Sequence, residues 1–444
     1  MKLSGWGRYP AIDAEAFTPG TIARLTQCLN KQGDFIVYGN GRSYGDSALN
    51  HRVLFSKLFN RILDFQTGQG ILTCECGVTL AEIIDIILPQ SWFLSTVPGT
   101  KLITLGGAIA SDVHGKNHHK AGCFSNSVLN IRLMLPDGRI VDCSPDTNRE
   151  LFFSTCGGMG LTGIILSATI KLQPVRSSYI SEKVIRCPNL REAFSCFEEN
   201  ANVTYSVAWI DCLAKGDRMG RSVLMIGEHA DSCPTKLRGD HVFTVPFSMP
   251  SFFLNRYSVA LFNELYYGLH SSRPQETPKP LNDFFFPLDK IENWNLMYGR
   301  NGFAQYQFVL PKEASFDGLR AVLHQTGKAG LGSFLGVLKL LGAENRNMLS
   351  FPREGYTLAL DFKINDKLFR FLDELDRIVL DHDGRINLCK DARMHPSVFR
   401  KGYPRHEEFS RLRTKYSMNK KFSLVSKIYG YIPARVSRRV YDRT

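Results

Sequence analysis

Three glycine-rich segments hold the residues with the clearest chemical use: GNGRSYGDS at 39–47, VPGTKLITLGGAIASDVHGKNHHKAG at 97–122 and CGGMGLTGI at 156–164. Glycine tolerates positive φ and lets the backbone approach a ligand closely, so successive N–H groups can converge on a pyrophosphate. Gly158 to Gly163 also fits G-x-G-x-x-G. That run follows a helix-like stretch and enters a β-branched one, the reverse of the context a Rossmann dinucleotide site requires, which excludes that reading. His114, His118 and His119 lie close together, but Gly115 and Lys116 interrupt them and no carboxylate or thiolate stands at a ligand spacing, so no metal site is expected. Lys390, in CKDAR, is by itself an ordinary surface lysine.

The elements that must position these residues read as α+β. Phe35 to Tyr38 is a strand leading into the first glycine loop. Ile62–Phe65 and Ile71–Cys76 form a hairpin across TGQG, and Ile131–Leu135 and Arg139–Cys143 form another across Pro136-Asp137-Gly138. Thr79 and Glu82 make a capping box before an apolar run that stops at Pro89, and Thr147 with Glu150 predicts a second. Leu151 to Ile170 is long and uncharged, but its glycines and β-branched second half predict helix, turn and buried strand instead of a membrane span. After Pro174 the glycine rhythm ends and longer aromatic elements begin. There FAQYQFVLP sets Gln305 and Gln307 on one strand face against Ala304, Tyr306 and Phe308, and YTLALDFKI separates Thr357, Ala359 and Asp361 from Tyr356, Leu358, Leu360 and Phe362. Two readings stand for the polar faces: a solvated sheet side, the commoner case, or the floor of a substrate cavity.

The 444 residues suffice for two or three domains, at roughly 100–200 residues each. The formal charge of +13 is uneven, because residues 400–444 hold 13 Lys/Arg against 3 Asp/Glu. Such a stretch attracts phosphates of nucleic acid, lipid or substrate, or is a solvated face with no partner. It lacks aromatic-basic repeats and a helix-turn-helix pattern, so no nucleic-acid partner is expected. The 11 scattered cysteines, without a Cys-x-x-Cys pair, suit reduced thiols, and MKLSGWGRYP has no apolar signal core, so a cytoplasmic location is expected.

Taken in order, the three glycine segments resemble the FAD-binding domain of the vanillyl-alcohol oxidase and para-cresol methylhydroxylase family over residues 5–175. Many such enzymes bond a histidine covalently to the flavin, and the matching position here is Arg42, which implies non-covalent FAD. Within that family GRSYGDS, GGAIASDVHGKNHH, GGMGLTGI, AQYQFVLP, CKDAR and YPRHEEF are similar to the decaprenylphosphoryl-β-D-ribose 2′-oxidase family along essentially the whole chain. The resemblance implies an FAD-binding domain of two subdomains at 5–175, an α+β substrate domain with an antiparallel sheet at 176–388, and a segment at 389–444 returning to the FAD domain. It implies oxidation of the 2′-hydroxyl of a polyprenyl-phosphate-linked ribofuranose, with a short-chain NAD(P)H-dependent reductase completing an epimerisation towards arabinofuranose for cell-envelope glycan. The alternative is a soluble alditol or aldonolactone oxidase.

Carried over by motif, Gly41, Arg42, Ser43, Tyr44, Gly45, Gly99, Thr100, Gly106, Gly107, His114, Gly115, Asn117, Gly160 and Ile164 would hold FAD. Lys116, Gln305, Gln307, Lys339, Asn387 and Lys390 would face the sugar or flavin ring, with Lys390, His114 and Tyr44 as the catalytic set. A lipid-linked substrate and the basic stretch from Arg400 to Arg443 together imply peripheral attachment to an anionic membrane at its inner face. One departure stands out: mycobacterial members carry cysteine where this chain has Ala359.

Overall fold

A computed structural model describes residues 1–231, 242–250, 253–271 and 273–424. Strands before residue 175 make two main sheets. Glu15–Phe17, Arg52–Phe55 and Ile36–Tyr38 form a three-stranded parallel sheet with Arg52–Phe55 in the centre. A six-stranded antiparallel sheet runs Ile140–Cys143, Val128–Met134, Ile164–Pro174, Ile71–Glu75, Ile62–Gln66, with Trp92–Leu94 pairing the far end of Ile164–Pro174. Both expected hairpins are present. Gly70 (φ +62°) and Gly138 (φ +84°) take the left-handed conformations their turns need, which a side chain would oppose.

The first capping box forms as read: the Thr79 hydroxyl accepts from the Glu82 N–H at 3.2 Å and the Glu82 carboxylate accepts from the Thr79 N–H at 2.8 Å, starting the helix Leu80–Ile87. The second does not form. Ser144 competes for the chain, its hydroxyl accepting from the N–H groups of Asp146 (3.2 Å) and Thr147 (2.9 Å). Asn148 then enters the left-handed region (φ +48°) and becomes the cap position of Arg149–Thr155 without a side-chain cap bond. Local side-chain to backbone bonds outcompete the box here. Glu150 pairs instead with Lys415 at 3.0 Å. The uncharged stretch at 151–170 is indeed helix, glycine turn and strand, and no helix among the described residues is long and apolar enough to cross a membrane.

Strands after residue 175 make one eight-stranded antiparallel sheet, in the order Gln275–Pro280, Tyr179–Cys187, Ser222–His229, Tyr205–Ile210, Val337–Leu341, Gly355–Lys363, Phe303–Pro311, Arg385–Ile386. Alternation decides its two faces. Tyr306, Phe308, Leu358 and Leu360 join a core with Leu319, Val322 and Leu323 of the helix Lys312–Ala329 and Leu372, Leu375 and Val379 of Leu368–Asp381. Each large apolar side chain buried there contributes ~1.5–3 kcal/mol. The opposite face therefore stays available for polar groups. After residue 390 the chain returns to the first sheet: the Phe35 N–H donates to the Lys421 carbonyl (2.7 Å) and the Ser423 N–H to the Phe35 carbonyl (3.1 Å).

Candidate active site

The glycine loops are locked to one another before they can hold anything. The Asn40 amide of the first loop donates to the Leu102 carbonyl of the second at 2.7 Å, and a side chain at Gly39 would strike the Thr104 hydroxyl. Gly41 and Gly160 have φ of +62° and +73°. The GRSYG turn is held from two sides: the Trp6 and Gly7 N–H groups donate to the Ser43 (2.7 Å) and Tyr44 (3.1 Å) carbonyls, and the Tyr44 N–H donates to the Cys389 carbonyl at 3.0 Å. That last bond brings Tyr44 beside Lys390, whose Nζ lies 3.7 Å from the centre of the Tyr44 ring.

Loops and sheet enclose one cavity of about 570 Å³. Its floor is the polar face of the sheet: Gln305, Gln307, Thr357, Ala359 and Asp361 line it, so the cavity reading of those strands holds over the solvated one. The Gln305 amide donates to Asp361 at 2.6 Å and the Tyr298 hydroxyl approaches the same carboxylate at 3.4 Å. The Gln307 amide nitrogen lies 3.2 Å from both His114 Nε2 and Thr357 Oγ1, while its oxygen accepts from Asn387 Nδ2 at 2.9 Å.

Burial governs the charges. It lowers Lys390 to about 8, against the pull of Cys389 and Asp361, and lowers Lys339 to about 8. Lys116 falls to about 7, with Lys339 and Lys279 adding repulsion to burial, and its Nζ donates to the Phe284 carbonyl. Burial pushes Asp361 up to about 7, although the Gln305 bond and the Lys390 charge hold it back. His114 is driven well below the ordinary imidazole range by burial and then by Lys339, which makes it a neutral ring and a poor proton acceptor. Tyr44 is held well above its usual value by burial and the nearby carboxylates, so it stays a phenol.

Of the residues expected to hold FAD, Gly41, Arg42, Ser43, Tyr44, Gly99, Thr100, Gly106, Gly107, His114 and Gly160 line the cavity. All six expected at the substrate, Lys116, Gln305, Gln307, Lys339, Asn387 and Lys390, line it too. Gly45, Gly115, Asn117 and Ile164 do not. Gly45 packs on the Asp391 carbonyl, Gly115 on Val97, and Asn117 donates to Ser95 at 2.7 Å, so these three brace the loops. Ile164 sits in the core, and the residues on either side of it in the chain, Gly163 and Ile165, line the cavity. The three histidines have separate partners: His114 meets Gln307, His118 the Gly342 N–H (3.1 Å) and His119 the Val203 carbonyl (2.8 Å). Reasoning from sequence did not single out Asp361, though it shares the strand face of Thr357 and Ala359. It also missed the aromatic wall of Trp209, Phe262, Tyr266 and Phe334, which has no motif.

A cradle of backbone at positive-φ glycines, with Arg42 stacked 4.1 Å over Trp6 and cations on the facing sheet, fits a dinucleotide with a ring buried at the far end. Residues 10–144 match the FAD binding domain family. The chain is 36% identical to decaprenylphosphoryl-β-D-ribose oxidase of Mycolicibacterium smegmatis, covering 93% of each chain. It is 29% identical to an uncharacterised Streptomyces coelicolor protein over 76% of this chain and 95% of that one. Bovine L-gulonolactone oxidase matches at 27% over only 39% of this chain and 41% of its own. With glycine loops on one side of the cavity and a polar sheet face on the other, the chain belongs to the decaprenylphosphoryl-β-D-ribose oxidase family and is an FAD-dependent oxidoreductase.

Proposed function

We propose that this enzyme oxidises the 2′-hydroxyl of a polyprenyl-phosphate-linked ribofuranose to a ketone, and that a short-chain NAD(P)H-dependent reductase then completes epimerisation to the arabinofuranose used in cell-envelope glycan. The observation that carries the reading is the polar lining of the cavity: two glutamines of the sheet face suited to hydroxyl groups, with Lys339 on the same sheet, Lys116 on the facing glycine segment and Lys390 on the turn after the last strand, suited to a phosphate. A soluble alditol carries no phosphate for these cations to meet. Residues 5–175 would hold the flavin and 176–388 the sugar, with 389–444 returning Lys390 to the flavin side.

FAD, once bound, supplies the acceptor for the hydride leaving the carbinol carbon. The chain supplies the rest. Asp361 takes the hydroxyl proton on its carboxylate, oriented by Gln305. Lys390, seated on Tyr44, places a cation where negative charge accumulates in the transition state, a contact worth ~3 kcal/mol. The chain His114, Gln307, Asn387, Thr357 fixes one amide orientation for the sugar. Ala359 widens the pocket wall where mycobacterial members have cysteine. Attachment to the inner face of the membrane through the basic stretch belongs to the same proposal. Within its described part, Arg405, Lys415 and Lys421 are engaged by Glu408, Glu150 and the Lys31 carbonyl, and residues 425–444 lie outside the described residues.

The test is to assay the holoenzyme with polyprenyl-phosphate-ribose against free alditols and aldonolactones. Flavin bleaching by the lipid-linked sugar is expected, with Lys390→Ala retaining FAD but reducing it at least ~100-fold more slowly. Turnover of alditols alone would overturn the proposal.

A further inference from the structure

Of the fifteen large hydrophobic side chains exposed among the described residues, nine fall between Val242 and Leu269. Four of them make one ridge on the helix Arg256–Leu269, spaced every four residues: Tyr257 (82% exposed), Leu261 (62%), Leu265 (59%) and Leu269 (82%). Residues four apart stack along one helix side. The helix is not loosely placed. Asn263, buried, donates to Asp211 at 2.7 Å, and Glu264 receives Arg221 at 2.8 Å. The ridge is therefore held outward by polar anchors on the other side.

That inner side also reaches the cavity. Phe262 and Tyr266 line it, Phe262 packing on Phe334 (5.7 Å between ring centres) and Tyr266 on Trp209 (4.7 Å). This aromatic wall is an apolar part of the same cavity whose polar floor holds Gln305, Gln307 and Lys339. The described basic residues from 400 to 424 contribute nothing to the cavity lining. A substrate whose lipid stays in hydrocarbon while its sugar reaches Lys390 would find, at this helix, apolar side chains of the cavity wall continuous with an exposed apolar ridge.

We propose that the helix Arg256–Leu269 docks on a lipid bilayer, its ridge of Tyr257, Leu261, Leu265 and Leu269 bedded at the acyl-chain boundary, with the substrate's polyprenyl chain passing alongside Phe262 and Tyr266. An amphipathic helix with an uncharged apolar ridge and a tyrosine at one end suits the plane of the interface. The choice of a bilayer as the occupant and the route of the polyprenyl chain both rest on the function proposed above, whereas the vesicle experiment reads the docking without any substrate.

The holoenzyme and the triple variant Leu261→Gln, Leu265→Gln, Leu269→Gln are sedimented with phosphatidylcholine vesicles, which carry no net charge, in high salt that cancels binding by the basic stretch. Wild type is expected to sediment, and the variant to partition at least tenfold less while keeping its flavin spectrum. A Leu269→Trp variant gives a second readout, blue-shifting on vesicles and losing emission to bromolipid. Equal sedimentation of both proteins, no vesicle binding by wild type, or no shift of Trp emission would overturn the docking. So would a wild-type dimer that the triple variant converts to monomer without change in vesicle binding, since a second copy would then cover the ridge. If the partition difference holds but no polyprenyl-phosphate sugar is oxidised, docking stands and the proposed substrate fails.

Discussion

Asp361 and Lys390 face one cavity from different parts of the chain, and their ionisation should set the working range of the enzyme. Asp361 must be ionised to accept a proton, so activity rises as pH passes about 7. Lys390 must be protonated to offer its charge, so activity falls as pH passes about 8. A narrow bell is expected in the rate of flavin reduction, and Asp361→Asn should lower that rate by ~10²–10⁴ and abolish the acid limb while FAD stays bound. An unchanged acid limb in rapid-mixing experiments would assign the proton elsewhere. Lys390 was legible only through its motif, because a lone lysine carries no signal. Asp361 was half legible: strand alternation put it on the right face, but nothing in the residues around it showed that burial would raise it into the working range.

The elements were read best where local chemistry had no rival. Thr79 and Glu82 cap their helix as expected, and period-two alternation in Phe303–Pro311 and Gly355–Lys363 sorted core from cavity side chains correctly. Thr147 and Glu150 failed because Ser144 offered the backbone a closer partner, a competition between neighbours that a spacing rule cannot see. The glycines divide in the same way. Gly41 and Gly160 face the cavity, whereas Gly45 lets two backbones touch. A methyl group there would meet the Asp391 carbonyl, so Gly45→Ala should cost ~1–3 kcal/mol in denaturant unfolding and lower FAD occupancy, since the strained contact adjoins Tyr44 and Lys390. Wild-type occupancy and stability would show that the loop can move aside.

At the scale of the molecule the cavity lies between loops built before residue 175 and a sheet built after it, so FAD bound there should hold the two together. Arg42 cannot form the covalent bond a histidine would, and acid precipitation is expected to leave the FAD in solution and a colourless pellet. Careful removal should then lower the unfolding temperature, because a ligand present at ~1,000 times its Kd adds ~4 kcal/mol to the folded state. Calorimetry before and after removal checks this, and yellow protein after acid would refute it. The overall α+β character and the antiparallel sheet were legible from alternation and turns. The order of eight strands was not, since pairings such as Val337–Leu341 with Tyr205–Ile210 join segments far apart in sequence.

The bond from the Tyr44 N–H to the Cys389 carbonyl has a consequence for biosynthesis. The two partners stand 345 residues apart, so the GRSYG turn cannot meet its partner until the chain through Cys389 has been made, and Lys390 follows one residue later. The flavin loops can therefore fold early as a unit, but they lack one wall until the segment with Cys389 has been made. Nascent chains stalled before Cys389 should be incapable of tight flavin capture, which makes cofactor loading follow the synthesis of the substrate sheet, so that flavin is held only by a chain that also has its substrate pocket.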